Sequence, residues 1–548
     1  MSINKARQTM RDKAHANYMG GPSYDLSPFA RLYVMACSAF FGEPAYYADV
    51  TRAESARRDS GTRRSTDEIR EKLTGYFGTY GKDMVELSST NREKAMKTAF
   101  EESLNYDPEL TLRFLGWLRN KALIRATSAV GLAIASHSEK VRGTGLLRSA
   151  SADVFSRLDD VTNCLAYYIN TYGKPIPNAL KKAVSDRLVR ANEYELAKYT
   201  AKSRQVSLMD AIRLTHAHSD AIDKFYRGEI KQTTEGQETW EAIISTEGSN
   251  HDTWTKAVGV MGHMALLRNL RNLEKFDVDP KLYLDKLVDG VAKGKQLPFR
   301  YYSAWVSVSN ARTKKALEKC IDASIVNLPK LPGNSLILVD NSGSAIGTRV
   351  SKLSNVNVAT CGNLMGILTG LCSDGGKVGV FGDKIKYVPI NKNFAGTSMQ
   401  MLNTINDIGR TVGQATENGI WLALDDIIKS GEVFDRIFIY SDMQAGHGGL
   451  YGIGNAYPAF FRAGMNTYID VPKLVATYRT KVNPKCKLYS IQIGGYADNI
   501  LPEFYPNTCI MSGWSQEVLK FVSMFEEGPE NIENLFRKML LAEGQDVA

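Results

Sequence analysis

The sequence has few of the features that mark secreted or membrane-spanning proteins. Its seven cysteines lie far apart and form no Cys-x-x-Cys pair, which argues against a disulfide framework and against a zinc site. Its longest apolar run, Leu32 to Phe41, is about half the length of a membrane span. The opening residues MSINKARQTM have no apolar signal core. We therefore expect a cytoplasmic protein with reduced, mostly buried thiols.

An excess of positive charge is found only in the first part of the chain. The whole chain, with 548 residues, exceeds the size of one hydrophobic core, so two domains or a repeat array plus a domain are expected. Residues 1–330 contain 50 Lys and Arg against 39 Asp and Glu (+11), and residues 331–548 contain 18 against 20 (−2), which together give +9. An acidic partner is therefore favoured for the first part. Nucleic-acid phosphates are the first candidate and an anionic membrane the second.

Helix signals recur from about residue 27 to residue 328, where strand signals are rare. Ser65-Thr66-Asp67-Glu68 has the pattern of a capping box. Asp107-Pro108 and Asp279-Pro280 each place an N-cap residue before a proline at the first helical position. Apolar residues follow at helical spacing: Leu110, Phe114, Trp117 and Leu118, then Leu284, Leu287, Val288 and Val291. One apolar stripe per helix predicts a stacked helical-repeat array. Because no exact period is present, an irregular α domain is the alternative.

After Leu331-Pro332-Gly333-Asn334 the pattern changes to short apolar strands that alternate with helices. This alternation predicts a mostly parallel, doubly wound α/β sheet that is covered on both faces and has its ligand crevice at the carboxyl ends of the strands. The predicted strands are 336–339, 378–381, 387–390, 437–440, 488–493 and 508–511, and the predicted helices are about 356–371, 398–408, 417–429, 471–480 and 516–525.

The strongest chemical signal follows the first of these strands. Asp340, Ser342 and Ser344 place a carboxylate and two hydroxyls on one loop, and such oxygens suit a small hard cation, Mg²⁺ or Mn²⁺. Thr416 and Asp442 are expected at the same edge of the sheet, and the five residues match the metal-ion-dependent adhesion site of von Willebrand factor A domains. The alternative is that the serines cap a helix and the acids are solvated.

The residues around this motif favour binding over catalysis. No catalytic acid and base pair is found beside it, and His447, the only histidine of the second part, lies in a glycine-rich segment. A partner's carboxylate or water is expected to complete the coordination. A metal-dependent nuclease would need a second metal or a general base near Asp340. Residues 445–468 form either a partner-binding insert or an inert loop.

A helical array followed by such a domain resembles the Ro ribonucleoprotein family over nearly the whole chain. The strings that carry the resemblance are Phe41-Gly42-Glu43 to Tyr46-Tyr47, Ala265 to Leu270, Leu297-Pro298-Phe299 ahead of Trp305, and Val339 to Ser344. The resemblance implies a TROVE domain at 1–330, built of HEAT-like helical repeats closed into a ring. It also implies a doubly wound, Rossmann-like von Willebrand factor A domain at 331–548.

The resemblance also implies a non-enzymatic, RNA-binding function. Members of the family bind a small noncoding RNA, called Y RNA, on the outer ring surface and take single-stranded ends of misfolded or damaged RNA into the hole. Bacterial members work with exoribonucleases, notably polynucleotide phosphorylase, in RNA quality control. A cytoplasmic monomer with no membrane partner is therefore expected. The alternative function is a protein-interaction adaptor that uses the metal.

Candidate RNA contacts follow from the same resemblance. Lys198 and His216 match the family's lysine and histidine, and Lys202 and Arg204 are rival candidates for an intervening arginine. The remaining basic candidates are the pair Lys181 and Lys182 and the series Arg113, Arg119, Lys121 and Arg125 around Trp117. For each of these residues, a solvated helix face is the alternative.

Overall fold

A computed structural model describes most of the chain and divides it into two compact units. The described residues are 15–16, 22–38, 89–199, 206–230, 239–294, 296, 298–325, 328–348, 356–390, 397–414, 416–443, 445, 471–494, 499–503, 505–513, 517–528 and 531–545. Ser27–Gln232 with Glu543–Ala548 forms one unit, called here the helical unit, and Met1–Leu26 with Thr233–Ala542 forms the other, called the mixed unit. The predicted capping box at Ser65 to Glu68 lies outside the described residues.

The helical unit is built from amphipathic helices. They are α1 Pro28–Ser38, α2 Ser89–Tyr106, α3 Pro108–Asn120, α4 Arg125–His137, α5 Leu146–Val154, α6 Leu158–Tyr172, α7 Asn178–Val189, α8 Glu193–Lys198, α9 Leu208–Thr215 and α10 Asp220–Tyr226. The predicted start of α3 is confirmed, because the Asp107 carboxylate accepts a hydrogen bond from the Leu110 amide at 2.9 Å with Pro108 next to it. The predicted apolar stripe of α3, from Leu110 to Leu118, is buried.

Further helices precede the sheet within the mixed unit. They are α11 Trp240–Glu247, α12 His251–Val260, α13 His263–Lys275, α14 Leu284–Asp289, α15 Val291–Gly294, α16 Pro298–Ser307 and α17 Ala311–Ile325. The predicted N-cap at Asp279 is confirmed, because its carboxylate accepts a hydrogen bond from the Lys281 amide at 3.0 Å, but the single helix expected after it is wrong. Pro280–Leu282 forms a 3₁₀ turn, which ends where Tyr283 turns its buried ring inward, and α14 and α15 then follow as two short helices.

The predicted doubly wound α/β architecture is confirmed. A short antiparallel pair, β1 His15–Ala16 and β2 Pro22–Ser23, comes first. The remaining elements are β3 Leu331–Asp340, α18 Gly343–Gly347, α19 Val358–Cys372, β4 Ser373–Phe381, β5 Ile385–Ile390, α20 Ser398–Gly409, α21 Gly419–Ser430, β6 Arg436–Ser441, α22 Val471–Lys481, β7 Lys487–Gln492, β8 Thr508–Ser512, α23 Glu517–Glu526 and α24 Ile532–Gln545. The sheet order is β5-β4-β3-β6-β7-β8, and only β5 runs antiparallel to its neighbour.

The order of the strands locates the ligand crevice. Chain connections leave β3 toward β4 on one side and return to β6 on the other, so the crevice opens at the carboxyl ends of β3 and β6. Val339 pairs with Tyr440, so Asp340 and Ser441 follow at the same level of the sheet. Every residue of β6 is buried, as expected for a parallel strand covered on both faces.

The change from helix to strand lies where the sequence predicts it, between Ile325 and Leu331. The two compact units, however, divide at Gln232–Thr233, so α11 to α17 belong to the same unit as the sheet. The Ser398 amide, for example, donates to the Asp322 carboxylate of α17. The domain bounds 1–330 and 331–548, and the closure of the repeats into a ring, stay predictions.

Two structural features match the composition. All seven cysteines are free and buried, which confirms the expected reduced thiols. Among the residues that the structure describes, no helix is both long enough and apolar enough to cross a membrane.

Hydrogen bonds fix the loop that leaves β3. The side chain of Asn341 exchanges hydrogen bonds with that of Asn363 on α19, at 2.9 and 3.0 Å, and Asn363 also donates to Asn406 on α20. The Gly343 amide donates to the Gln414 carbonyl at 2.9 Å, and a Cβ at Gly343 would lie 2.6 Å from that oxygen. Glycine at this position therefore permits the loop after β3 to approach the loop that leads to α21.

Two glycines of α18 provide a matched test of this close approach. We expect Gly343→Ala to lower the free energy of unfolding by on the order of 1–3 kcal/mol, because its methyl group would push apart two packed loops. Gly347→Ala, at a position with no atom within 4 Å of the added Cβ, should be neutral or slightly stabilising. Thermal melts of both variants check this, and equal melting temperatures would contradict it.

Candidate functional site

Three carboxylates meet at the carboxyl edge of the sheet. Asp340 ends β3, Asp442 follows β6, and Glu417 lies in the loop before α21. One oxygen from each carboxylate lies within 4.8 Å of the others, and all three side chains are buried. The convergence of Asp340 and Asp442 follows directly from the parallel pairing of β3 with β6.

Hydrogen bonds hold these carboxylates in place without satisfying all of their oxygens. The Ser342 amide donates to Asp340 Oδ1 at 2.7 Å, and the Ser441 hydroxyl donates to Glu417 Oε2 at 2.6 Å. Asp340 Oδ2 is fully buried and has no hydrogen-bond partner among the described residues. A buried acceptor without a donor is costly, so a proton or a cation at this oxygen would be stabilising.

Burial and mutual repulsion disfavour the ionised forms of these acids. Burial, followed by the nearby charge of Asp442, raises the pKa of Asp340. Burial also raises the pKa of Glu417, and the charges of Asp340 and Asp442 raise it further. Like charges this close in a buried site are stable only if protons or a cation neutralise them.

Two hydroxyls of the predicted motif lie close together on the loop after Asp340, because Ser342 Oγ and Ser344 Oγ are 3.1 Å apart. Ser342 occupies the N-cap position of α18, but its side chain makes no capping hydrogen bond, so helix capping does not account for it. The Thr416 amide and hydroxyl instead donate to Asp383 Oδ1, at 2.7 and 2.8 Å.

The donor set fits a small hard cation. Ligands on opposite sides of Mg²⁺, at distances near 2.1 Å, lie about 4.2 Å apart, close to the observed spread of the three carboxylates. Carboxylate and hydroxyl oxygens are the ligands that Mg²⁺ and Mn²⁺ prefer. The set Asp340, Ser342, Ser344, Thr416 and Asp442 stays a prediction, to which the structure adds the carboxylate of Glu417.

The position of Glu417 bears on the expectation that no catalytic acid and base pair lies beside the Asp340 motif, because it adds a carboxylate there. The sequence predicts that the helix begins at residue 417, which would place this side chain on a helix face. The helix begins instead at Gly419, so Glu417 lies in the loop and its side chain reaches Ser441. The only feature of the sequence that indicates Glu417 as a site residue is its position directly after Thr416.

Other sequence-predicted features near this edge are only partly described. Ala445 is buried, whereas His447 and the rest of the segment 445–468 lie outside the described residues. Met443, directly after Asp442, adopts a left-handed backbone conformation with φ of 63°, and its amide donates to Ser441 Oγ. The chain therefore turns sharply as it leaves the carboxylate cluster.

The candidate RNA contacts lie in the helical unit. Lys198 is exposed at the end of α8, with its ammonium group 5.6 Å from the centre of the Tyr194 ring. His216 is exposed and ends α9 in the left-handed region, with φ of 52°. Lys181 is half-buried and Lys182 exposed on α7. Lys202 and Arg204 lie outside the described residues.

Two residues of the basic series around Trp117 form ion pairs with buried acids of the helical unit. Arg119 pairs with Asp160 at 3.0 Å, and Arg125 pairs with Asp159 at 2.9 Å. Arg119 is only 13% exposed, and both aspartates are almost fully buried. These two arginines therefore neutralise buried acids, so neither the phosphate-binding interpretation nor the solvated-face interpretation describes them.

The central segment of the chain is similar to a known family. Residues 227–360, which run from the end of α10 past the Asp340 to Ser344 loop and make up about a quarter of the chain, match the TROVE domain family. The match supports the resemblance to the Ro family and an RNA-binding ribonucleoprotein role for this protein.

A solved structure supports the same fold. The crystal structure of the Deinococcus radiodurans RO (RSR) protein is similar to this chain, with a TM-score of 0.51 and 14% sequence identity. The similarity covers 80% of this chain and 92% of that chain. At this identity the likeness shows the fold alone. No curated protein matches the sequence.

The carboxylate cluster predicts that the stability of this protein depends on divalent cations. With a chelator present, we expect Asp340→Asn to melt at the same temperature as the wild type or higher, because one of three repelling carboxylates is removed. Saturating Mg²⁺ should stabilise the wild type, by about 2.7 kcal/mol at 100 times the dissociation constant, but not the variant.

Asp407→Asn is the control, because Asp407 is an exposed acid of the same unit. It should keep the full Mg²⁺-dependent increase in melting temperature. An unchanged increase in Asp340→Asn as well would rule out a cation at this cluster.

Proposed function

We propose that this protein is a non-enzymatic RNA-binding scaffold of RNA quality control. In this proposal it binds a small noncoding Y-type RNA and the single-stranded ends of misfolded or damaged RNA. An exoribonuclease of the polynucleotide phosphorylase type is the proposed protein partner. The TROVE match at residues 227–360 carries the proposal.

The distribution of charge supports this assignment. The excess of +11 in residues 1–330 suits a phosphate backbone, whereas residues 331–548 have a net charge of −2. Lys198, Lys182 and His216 are exposed and therefore available to a ligand. In this proposal, RNA binds the helical part of the chain, and a divalent cation, Mg²⁺ or Mn²⁺, binds at the carboxyl edge of the sheet.

The proposed cation would be held by Asp340, Asp442, Ser342, Ser344 and Thr416, with Glu417 as a further carboxylate. When bound, it would neutralise the acids and link the loops that follow β3 and β6 to the start of α21. Because Glu417 already supplies a third carboxylate from within the chain, the site has less need of a partner's acidic residue. This observation favours the RNA-binding scaffold over the metal-dependent adaptor.

RNA binding should be strongly salt-dependent and should be weaker without Lys198. In the intact chain, the logarithm of RNA affinity should fall linearly with the logarithm of salt concentration, because condensed counterions are released. Lys198→Ala should weaken binding across RNA sequences and make that slope shallower by about one unit. Gel shifts with a stem-loop RNA and a single-stranded RNA, at several salt concentrations, measure both effects.

His216 should matter for the stem-loop RNA more than for the single strand, since the resemblance assigns it to Y-type RNA. Asparagine is the appropriate substitute, because His216 has a positive φ, which asparagine tolerates. Lys481→Ala, which removes the same charge from α22, is the control. A flat salt response, or equal losses in Lys198→Ala and Lys481→Ala, would count against the proposal. Melting temperatures verify folding.

A further inference from the structure

A cavity lined by three arginines lies between α5 and α7 in the helical unit. Its volume is about 340 Å³, and its mouth is open to solvent. Arg148 of α5 and Arg187 and Arg190, at the end of α7, line it together with Asp186. Three guanidinium groups against one carboxylate give the lining a net charge of +2, so the cavity, called here the arginine cavity, suits an anion.

Asp186 orients one of these arginines without using all of its donors. Arg148 donates from Nε and Nη2 to the two carboxylate oxygens of Asp186, at 2.5 and 3.0 Å. A guanidinium group has five N–H donors in one plane, so the Nη1 side of Arg148 is left for a ligand. Because this side chain is 64% exposed, a ligand in solvent can reach it.

Arg187 forms a fixed wall of the arginine cavity. Its Nε donates to the Phe155 carbonyl at 2.9 Å, and its Nη2 donates to Glu195 and to the Ser156 carbonyl. Because its charge is offset by Glu195 and only 14% of the side chain is exposed, Arg187 contributes rigidity more than charge or direct contacts. A rigid wall lowers the entropy cost of ordering a ligand.

Arg190 is the arginine most available to a ligand. It is exposed at the C-terminal end of α7, and among the described residues its side chain has no ion pair or hydrogen bond. Lys182, Asp186 and Arg190 follow one another at four-residue intervals, so they lie on one stripe of α7. The exposed Lys182 therefore extends the positive surface away from the cavity along the helix.

We infer that the arginine cavity holds a backbone phosphate of a bound RNA strand, with Arg148 and Arg190 as its donors. Planar guanidinium groups match phosphate oxygens in a two-point geometry, and this match favours arginine at phosphate sites. The stripe through Lys182 gives the strand a path beyond the cavity. The inference rests on the proposed RNA-binding function, and it adds a site outside the Lys198 and His216 segment.

Arg148 and Asp186 give the sharpest test, because the two substitutions break the same ion pair. Any structural effect of losing the pair is therefore shared by Arg148→Gln and Asp186→Asn. Their effects on RNA should be opposite: Arg148→Gln removes a phosphate donor, and Asp186→Asn removes a competing carboxylate. We expect affinity for a single-stranded oligouridine to fall roughly threefold to tenfold in Arg148→Gln and in Arg190→Gln, and to rise in Asp186→Asn.

Arg410→Gln in the mixed unit is the matched control, because Arg410 is also an exposed arginine paired with an aspartate. It should leave oligouridine affinity unchanged. If wild-type protein binds oligouridine but Arg148→Gln, Arg190→Gln and Asp186→Asn all bind equally well, the inference is overturned while the proposed function stands. Failure of wild-type protein to bind any RNA would overturn both.

A further experiment distinguishes a bound RNA strand from a free phosphate ion in the arginine cavity. Melting temperatures are measured in inorganic phosphate and in chloride at equal ionic strength. A phosphate-specific increase that Arg148→Gln and Arg190→Gln abolish, with no change in their RNA affinity, would assign the arginine cavity to a small free phosphate and overturn the RNA assignment. Reduced RNA affinity in both variants supports it.

Discussion

The pairing of β3 with β6 is the constraint on which the candidate metal centre depends. Parallel neighbours end at the same edge of a sheet, so Asp340 and Asp442, separated by a hundred residues of chain, are brought together by backbone hydrogen bonds. Glu417 then joins them from the loop before α21. The sheet creates a cluster of like charges that a cation would stabilise, and Asn341, Asn363 and Gly343 hold one of its loops in place.

Positive charges in the helical unit have two different uses. Arg119 and Arg125, together with Arg157, neutralise the buried Asp159 and Asp160, and each aspartate pairs with two of these arginines. Lys182, Arg190 and Lys198, in contrast, are exposed. The net charge of the helical unit therefore includes basic side chains that RNA cannot reach. Burial decides which basic side chains are available to RNA.

The sequence predicts the α/β part well because its strands are continuous apolar runs. The predicted strand at 437–440 is observed as Arg436–Ser441, and the predicted helix at 398–408 as Ser398–Gly409. The same reasoning places Asp340 and Asp442 at one edge. It misses Glu417, because a two-residue error in the start of a helix moves a side chain from a helix face into a loop.

Sequence patterns are less informative for the helical residues. Burial of the stripe after Asp107 follows from helical spacing, whereas the stripe after Asp279 is divided between two short helices that follow a 3₁₀ turn. The arginine cavity could not be predicted, since it is formed by side chains of α5 and α7, and sequence spacing does not reveal which helices are neighbours.

The central claim is that RNA binds the helical part of the chain and not the sheet. Ultraviolet cross-linking of the intact protein to a stem-loop RNA carrying a single-stranded end, followed by mass spectrometry of the cross-linked peptides, tests it most directly. Cross-links are expected within residues 27–325, including peptides that contain Lys198 or Arg190. Cross-links confined to residues 331–545 would contradict it.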